Sequence, residues 1–287
     1  LGKSDPRSRH QSAMIMRSPV ADHYARGDLT AAIREGLARI GKTEATVTAE
    51  DLAPVDEFHI GGRAATADLA HQLGLTPDDR VLDIGCGLGG PARNIAASCG
   101  CHVTGIDLTR DYIEAGNVLS EWLQLRDCVS LQQGNALSLP FANGSFSAAY
   151  MLHVGMNIAD KSALFAEVGR VLRACARFAI YDVMRTGDGA LSYPLPWAST
   201  PDANAITSPS QYRDALSSAG FEVLSDRQRR DVALEYFARQ RAQVAAGPVA
   251  LGVHTLMGAR RPEMVRNMSE GISDGRIAPV EIIARKL

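Results

Sequence analysis

Three carboxylates, two histidines and a run of glycines are the residues in this chain whose types and spacing could do chemistry. Asp83 stands in a short apolar run, Val81-Leu82-Asp83-Ile84, and Gly85, Gly87, Gly89 and Gly90 follow it directly. Glycines at that density let a ligand approach the backbone and allow φ > 0 where a tight turn needs it. Pro91 then opens a helical stretch over 92–97, so the turn ends at a helix N-terminus whose free N–H groups favour negative charge. Strand, glycine turn and helix in that order predict a nucleotide-like ligand. Asp107 closes the next strand, His102 to Asp107, where a carboxylate can accept from both hydroxyls of a ribose. Charge-assisted bonds of that kind are worth about 1.5 to 3 kcal/mol each. Gly85-x-Gly87-x-x-Gly90 with Asp107 also satisfies the dinucleotide fingerprint, so an NAD-dependent oxidoreductase stands as an alternative.

Against that alternative, a carboxylate at Asp83 would crowd a pyrophosphate but could receive a ligand's ammonium group. His153 follows the strand 145–152 at the point where the strand order of such a sheet reverses, and a crevice opens there. It is the first candidate for a proton acceptor, with Tyr181 and Asp182 next; a histidine satisfied within the core is the competing reading. Tyr193 and Trp197 lie in a loop over 185–207 rich in Pro, Gly, Ser and Ala, and could line a substrate pocket. Cys99-x-Cys101 is read as packing, and no metal site is expected among the five cysteines.

The elements that must position these groups follow from periodicity. Asp28 caps a helix carrying Ile33, Leu37 and Ile40, Thr48-x-x-Asp51 marks a second cap, and Arg63 to Leu73 is a third helix. From Arg80 strand and helix alternate: helix over 111–123, strand over 129–133, strand over 145–152, helix over 161–173, strand over 178–183. Helices from Ser208 and over 232–245, a strand from Phe221, an irregular stretch over 247–275 and a final strand over 280–286 complete the pattern. This is an α/β chain with a mostly parallel, doubly wound sheet. The expected organisation is a flexible arm at 1–20, a helical lid over 21–75, and one main domain over 76–287 with the loop 185–207 inserted.

With 287 residues, 46% of them hydrophobic, the chain can bury one substantial core. Thirty basic and 32 acidic residues give a net charge of −2, which disfavours nucleic acid as a partner and leaves a small molecule as the default. No apolar run reaches membrane-spanning length and no secretory leader stands out, so a cytoplasmic location is expected. The oligomeric state is open, a homodimer being one option.

Val81-Leu82-Asp83-Ile84-Gly85-Cys86-Gly87-Leu88-Gly89-Gly90 resembles the first motif of the class I S-adenosylmethionine (SAM) methyltransferases. Asp107, Gly134-Asn-Ala-Leu-Ser-Leu-Pro-Phe141 and Val171-Leu172-Arg173 before Phe178 to Asp182 stand in that family's order. Phe58-His-Ile-Gly-Gly62 with Gly89-Gly90-Pro91-Ala92 is similar to the branch that includes sarcosine/dimethylglycine N-methyltransferases. The resemblance implies a seven-stranded Rossmann-like sheet with an antiparallel last strand, SAM as methyl donor and S-adenosylhomocysteine as product. It implies cofactor contacts from Asp83, Gly85, Gly87, Gly89, Asp107, Leu108, Asn135, Ala136 and His153, with Tyr24, His59 and Gly61 closing over the methionine tail. His153, Tyr193 and Trp197 are expected to meet a small N, O or C acceptor. A SAM-binding protein without catalysis is the remaining alternative. Two departures stand out: Asn135 where the family often has Asp, and Ala174-Cys175-Ala176 where it often has Pro-Gly-Gly.

Overall fold

The structure, a computed structural model, describes residues 28–247, 249–257 and 260–287; the arm at 1–20 and Tyr24 lie outside the described residues. Asp28 accepts the Ala31 N–H at the start of α1 (Leu29–Arg39), which buries Ile33 and Leu37. Thr48 and Asp51 cap α2 (Ala49–Asp56) reciprocally, satisfying two N–H groups that a helix start leaves free. Next come α3 (Gly62–Leu73), ended by Gly74, and β1 (Arg80–Ile84).

β1 lies between β2 (His102–Asp107) and β4 (Phe146–Leu152), parallel to both. A central strand covered on both faces needs apolar residues without alternation, which is why Val81, Leu82 and Ile84 run together, all fully buried. α4 (Gly90–Cys99) connects β1 to β2, α5 (Arg110–Trp122) connects β2 to β3 (Val129–Gln133), and α6 (Lys161–Val171) connects β4 to β5 (Leu172–Arg185). After α7 (Pro209–Ser218), β6 (Phe221–Gln228), α8 (Arg230–Ala246), α9 (His254–Met257) and α10 (Arg261–Ser273), β7 (Ile277–Lys286) closes the sheet. The strand order is β3-β2-β1-β4-β5-β7-β6, with β7 antiparallel to both neighbours: a seven-stranded, doubly wound, Rossmann-like sheet as expected.

Three expectations need correction. The helix from Lys161 stops at Val171, and β5 begins at Leu172, well before Phe178, because Leu172 pairs with Phe146. The register with β4 then shifts between Phe146 and Ala148, and Cys175 takes a φ of +62°. That left-handed residue sits in the Ala174-Cys175-Ala176 segment, so the turn written with glycines in the family is made here by a strained cysteine. The stretch 247–275 is not irregular: it holds α9 and α10, with Met264, Met268 and Ile272 buried at every fourth position of α10. The last strand starts at Ile277, not Val280.

The helices before β1 pack on the glycine turn. Leu88, at the tip of that turn, is fully buried among Ile33, Leu37, Leu52 and Val55, with Leu251 and Leu256 from the far end of the chain. Gly90 allows this approach, since a Cβ there would overlap the Asp56 carbonyl at the end of α2. Beneath it the Arg93 guanidinium donates to Asp56 Oδ2 (2.7 Å), the Gly116 carbonyl (3.0 Å) and Ser120 Oγ (3.1 Å), tying α2, α4 and α5 together. Among the described residues no helix is long and apolar enough to cross a membrane.

Candidate active site

A cavity of about 540 Å³ opens at the carboxyl ends of β1, β2 and β4, where a doubly wound sheet offers its crevice. Its floor is built by the glycine turn. Gly87 has a φ of +53°, which a glycine adopts without strain, and its N–H donates to Asp107 Oδ2 at 3.0 Å. Asp107 Oδ1 accepts from Thr109 N–H at 2.8 Å, and the Thr109 hydroxyl and Leu108 N–H also stand close to the carboxylate. Asp83, also in the floor, is buried, and its Oδ2 has no hydrogen-bond partner. Burial, opposed by the Tyr150 hydroxyl beside it and reinforced by the Asp107 and Glu57 carboxylates, pushes its carboxyl up to about 8. An orphaned buried oxygen of that kind fits a cationic donor group on the ligand.

Leu108, Asn135 and Ala136 line the cavity beside Asp107. The Asn135 side-chain oxygen accepts the Leu137 N–H at 2.9 Å, so part of its hydrogen-bonding capacity is used to shape its own turn.

His153 lines the cavity at the end of β4 with a φ of +55°, its N–H held by the Tyr181 carbonyl at 2.8 Å. Both ring nitrogens are buried without a hydrogen-bond partner. The ring meets Tyr181 edge to face at 5.1 Å and lies 6.0 Å from the His59 ring. Burial, with His59 adding to it, holds His153 well below the ordinary imidazole value, so the ring is neutral and has a lone pair at neutral pH.

His59 also lines the cavity. Its Nε2 lies 3.0 Å from the Gly62 carbonyl, which fixes that nitrogen as N–H and leaves Nδ1 as the acceptor. Burial lowers its pKa to about 4. Behind it Thr66 Oγ1 donates to Glu57 Oε2 at 2.5 Å and Asn94 to Glu57 Oε1 at 3.0 Å; burial raises the Glu57 carboxyl to about 7.

The structure thus brings Asp83, Gly85, Gly87, Asp107, Leu108 and Asn135 into one cavity, with Ala136, His59, His153 and Trp197. Gly61, Gly89, Tyr181 and Tyr193 are outside its lining. Gly61 is the residue from which α3 starts, and Gly89 does the same for α4. Tyr181 braces His153 from behind. Tyr193 is clipped by Asn204, whose Nδ2 donates to the phenol oxygen at 2.8 Å, while the Asn204 oxygen accepts from Trp197 Nε1 at 2.9 Å. Asp182 is fully buried under Tyr212, whose hydroxyl donates to it at 2.6 Å, and it does not reach the cavity. The far wall was not foreseen in the sequence: Tyr236, Phe237 and Gln240 from α8, and Arg261, Met264 and Met268 from α10. The four-residue spacing of the two methionines is the signal that could have pointed to it.

Fold and site together define a class I methyltransferase domain, in which the glycine turn, Asp83 and Asp107 meet at the sheet's switch point. Residues 81–174 match the family described as "Methyltransferase domain", the family class that the glycine turn and Asp107 resemble. The sterol 24-C-methyltransferase of Eremothecium gossypii is 34% identical over 169 residues, covering 57% of this chain and 45% of that protein. This chain therefore spans less than half the length of that relative. The crystal structure of geranyl diphosphate C-methyltransferase from Streptomyces coelicolor A3(2) superposes with a TM-score of 0.64 at 24% identity, over 78% of this chain and 80% of that one. A structure assigned provisionally to sarcosine dimethylglycine methyltransferase from Galdieria sulphuraria gives a TM-score of 0.66 at 19% identity, over 78% and 84%. At those identities the two structures speak for the fold.

Proposed function

We propose that this chain transfers a methyl group from SAM to a small-molecule acceptor by in-line displacement. The observation that carries the reading is the Asp107 carboxylate, held in the cavity lining at the end of β2 by the N–H groups of Gly87 and Thr109. In this reading that carboxylate receives the ribose hydroxyls, and Asp83 Oδ2 receives the ammonium of the methionine tail. Leu108 and Ala136 pack on the adenine, with Asn135 at its edge. His59 and the segment through Gly61 close over the tail, and the helices α1 to α3 act as a lid. When bound, SAM supplies an electrophilic methyl on a sulfonium. The chain's own work is to hold the acceptor in line, which is worth about 7 to 11 kcal/mol of a barrier, and to exclude water. His153, neutral and without a partner, takes the acceptor's proton, with Tyr181 setting the ring's orientation from behind. Trp197 and the loop 185–207 form the acceptor's wall. A cytoplasmic location, and a homodimer if the chain assembles, belong to the same reading.

Calorimetry with S-adenosylhomocysteine and NAD, followed by an acceptor screen scored by S-adenosylhomocysteine formation, tests this. Heat with NAD and none with S-adenosylhomocysteine would overturn the cofactor. Tight S-adenosylhomocysteine binding without turnover on any acceptor would favour a non-catalytic role.

A further inference from the structure

Arg261 is the one cavity-lining residue with a permanent positive charge among the described residues, and Gln240 apart it enters a wall of aromatic and apolar side chains. It starts α10 and is half-buried beside Met264 and Val265; across the cavity from α8 come Tyr236 and Phe237. Its Nε is buried and has no hydrogen-bond partner. Neighbouring arginines are engaged: Arg260 with Glu263, and Arg230 with the Ile272 carbonyl. Arg261 also acts on Tyr236, whose hydroxyl is raised by burial while the guanidinium opposes the rise. A buried N–H donor without an acceptor is costly, and a ligand group is the natural acceptor inside a cavity.

The position of α10 favours the acceptor over the cofactor as that ligand. α10 packs on α8 and β7, and Val265 and Tyr236 belong to the same apolar cluster as Met156 and Trp197. The groups suited to a nucleotide and its amino-acid tail lie instead at the ends of β1 and β2. One guanidinium offers a planar fork that matches a single carboxylate and balances one charge. Resting on the methyltransferase reading above, we infer that the acceptor is an apolar molecule bearing a carboxylate, its body against Trp197, Phe237, Met264 and Met268 and its carboxylate on Arg261.

The matched probes decanoate and 1-decanol, equal in length and different in charge, test this by displacement of the neutral dye N-phenyl-1-naphthylamine. In the wild-type protein decanoate should bind roughly 10- to 100-fold more tightly than decanol at neutral pH. Arg261→Met keeps the apolar stem and should remove that preference while dye affinity stays within about twofold; Arg261→Lys should keep part of it. No preference in the wild type, or a preference that survives in Arg261→Met, overturns the inference. S-adenosylhomocysteine titration separates the remaining cases. Equal affinity in wild type and Arg261→Met supports an acceptor role, and a loss in the variant alone assigns the guanidinium to the cofactor and overturns it. Failure of the wild type to bind S-adenosylhomocysteine would strike the methyltransferase reading itself, whatever the probes show. Decyl phosphate binding far better than decanoate would overturn the choice of carboxylate.

Discussion

The Gly87 N–H donates to Asp107 Oδ2 at 3.0 Å, so the carboxylate ending β2 holds the turn that follows β1. A side chain taken from sequence as a ligand contact is therefore also a strut of the glycine turn. Asp107→Ala should weaken S-adenosylhomocysteine binding by about 1.5 to 3 kcal/mol and, by stranding the Gly87 and Thr109 N–H groups, should also lower the melting temperature of the unliganded protein. Calorimetry and thermal unfolding on the same variant check both parts. A loss of affinity at unchanged melting temperature would show that the turn holds its shape alone.

Asp83 makes a prediction about protons. Its carboxyl is raised to about 8 from an ordinary 3.8, so the folded protein keeps a proton that the unfolded chain releases. Stability from this source is full below about pH 4 and is lost as pH climbs through about 8. Asp83→Asn should flatten that decline in melting temperature, though not abolish it, because burial raises Glu57 in the same sense. An ammonium beside Asp83 favours the ionised form, so ligand binding at pH 7 should release about one proton. Calorimetric heats in two buffers of different ionisation enthalpy count it, and a count near zero would remove Asp83 from the ligand.

His153→Asn should lower turnover by roughly 10² to 10⁴ with little change in S-adenosylhomocysteine affinity. Asparagine tolerates the left-handed φ of +55° better than most residues, so the fold should survive. Because burial holds the imidazole well below its ordinary value, the wild-type rate should already be level at pH 6 to 7 and fall only under more acidic conditions. A limb centred near the ordinary imidazole value would mean that water reaches the ring.

The pair Asp56 and Arg93 carries a stability prediction. Both are buried, and Asp56→Ala would leave the guanidinium without its counter-charge, at a cost of about 3 to 5 kcal/mol. Asp56→Ala with Arg93→Met should recover a large part of that loss in urea unfolding. If the double variant were as unstable as the single one, the bonds from Arg93 to Gly116 and Ser120 would be the important ones.

The parts of this molecule legible in sequence are those whose signal is local. β2 and β3 begin and end where their apolar patterns do, and Asp28, Thr48 and Ser208 cap the helices that they precede. Asp83 and Asp107 could be placed beside one turn from sequence because the glycine signal is strong, and both line the cavity. Contacts made across the chain leave no such trace: Asp56 and Arg93 are 37 residues apart, and neither flanks a motif that names the other. In α10 the spacing of Met264, Met268 and Ile272 is the one periodic signal, and Asn267 and Gly271 on the same buried face dilute it. Leu172 and Arg173 continue a helical period yet form a strand, since pairing with β4 outweighs local preference.

β7 lies between β5 and β6, and β6 pairs with no other strand. On the ribosome, six strands emerge before the one that joins them, so β6 and the outer edge of β5 wait with unpaired backbone groups. Completion of the sheet is thus a late, long-range event, of the kind that slows folding and exposes edges to other chains. Removal of residues 277–287 would not trim a tail. It would split the sheet in two, detach Arg227 and Arg229 from Glu281, and leave a nascent chain that chaperones would be expected to hold.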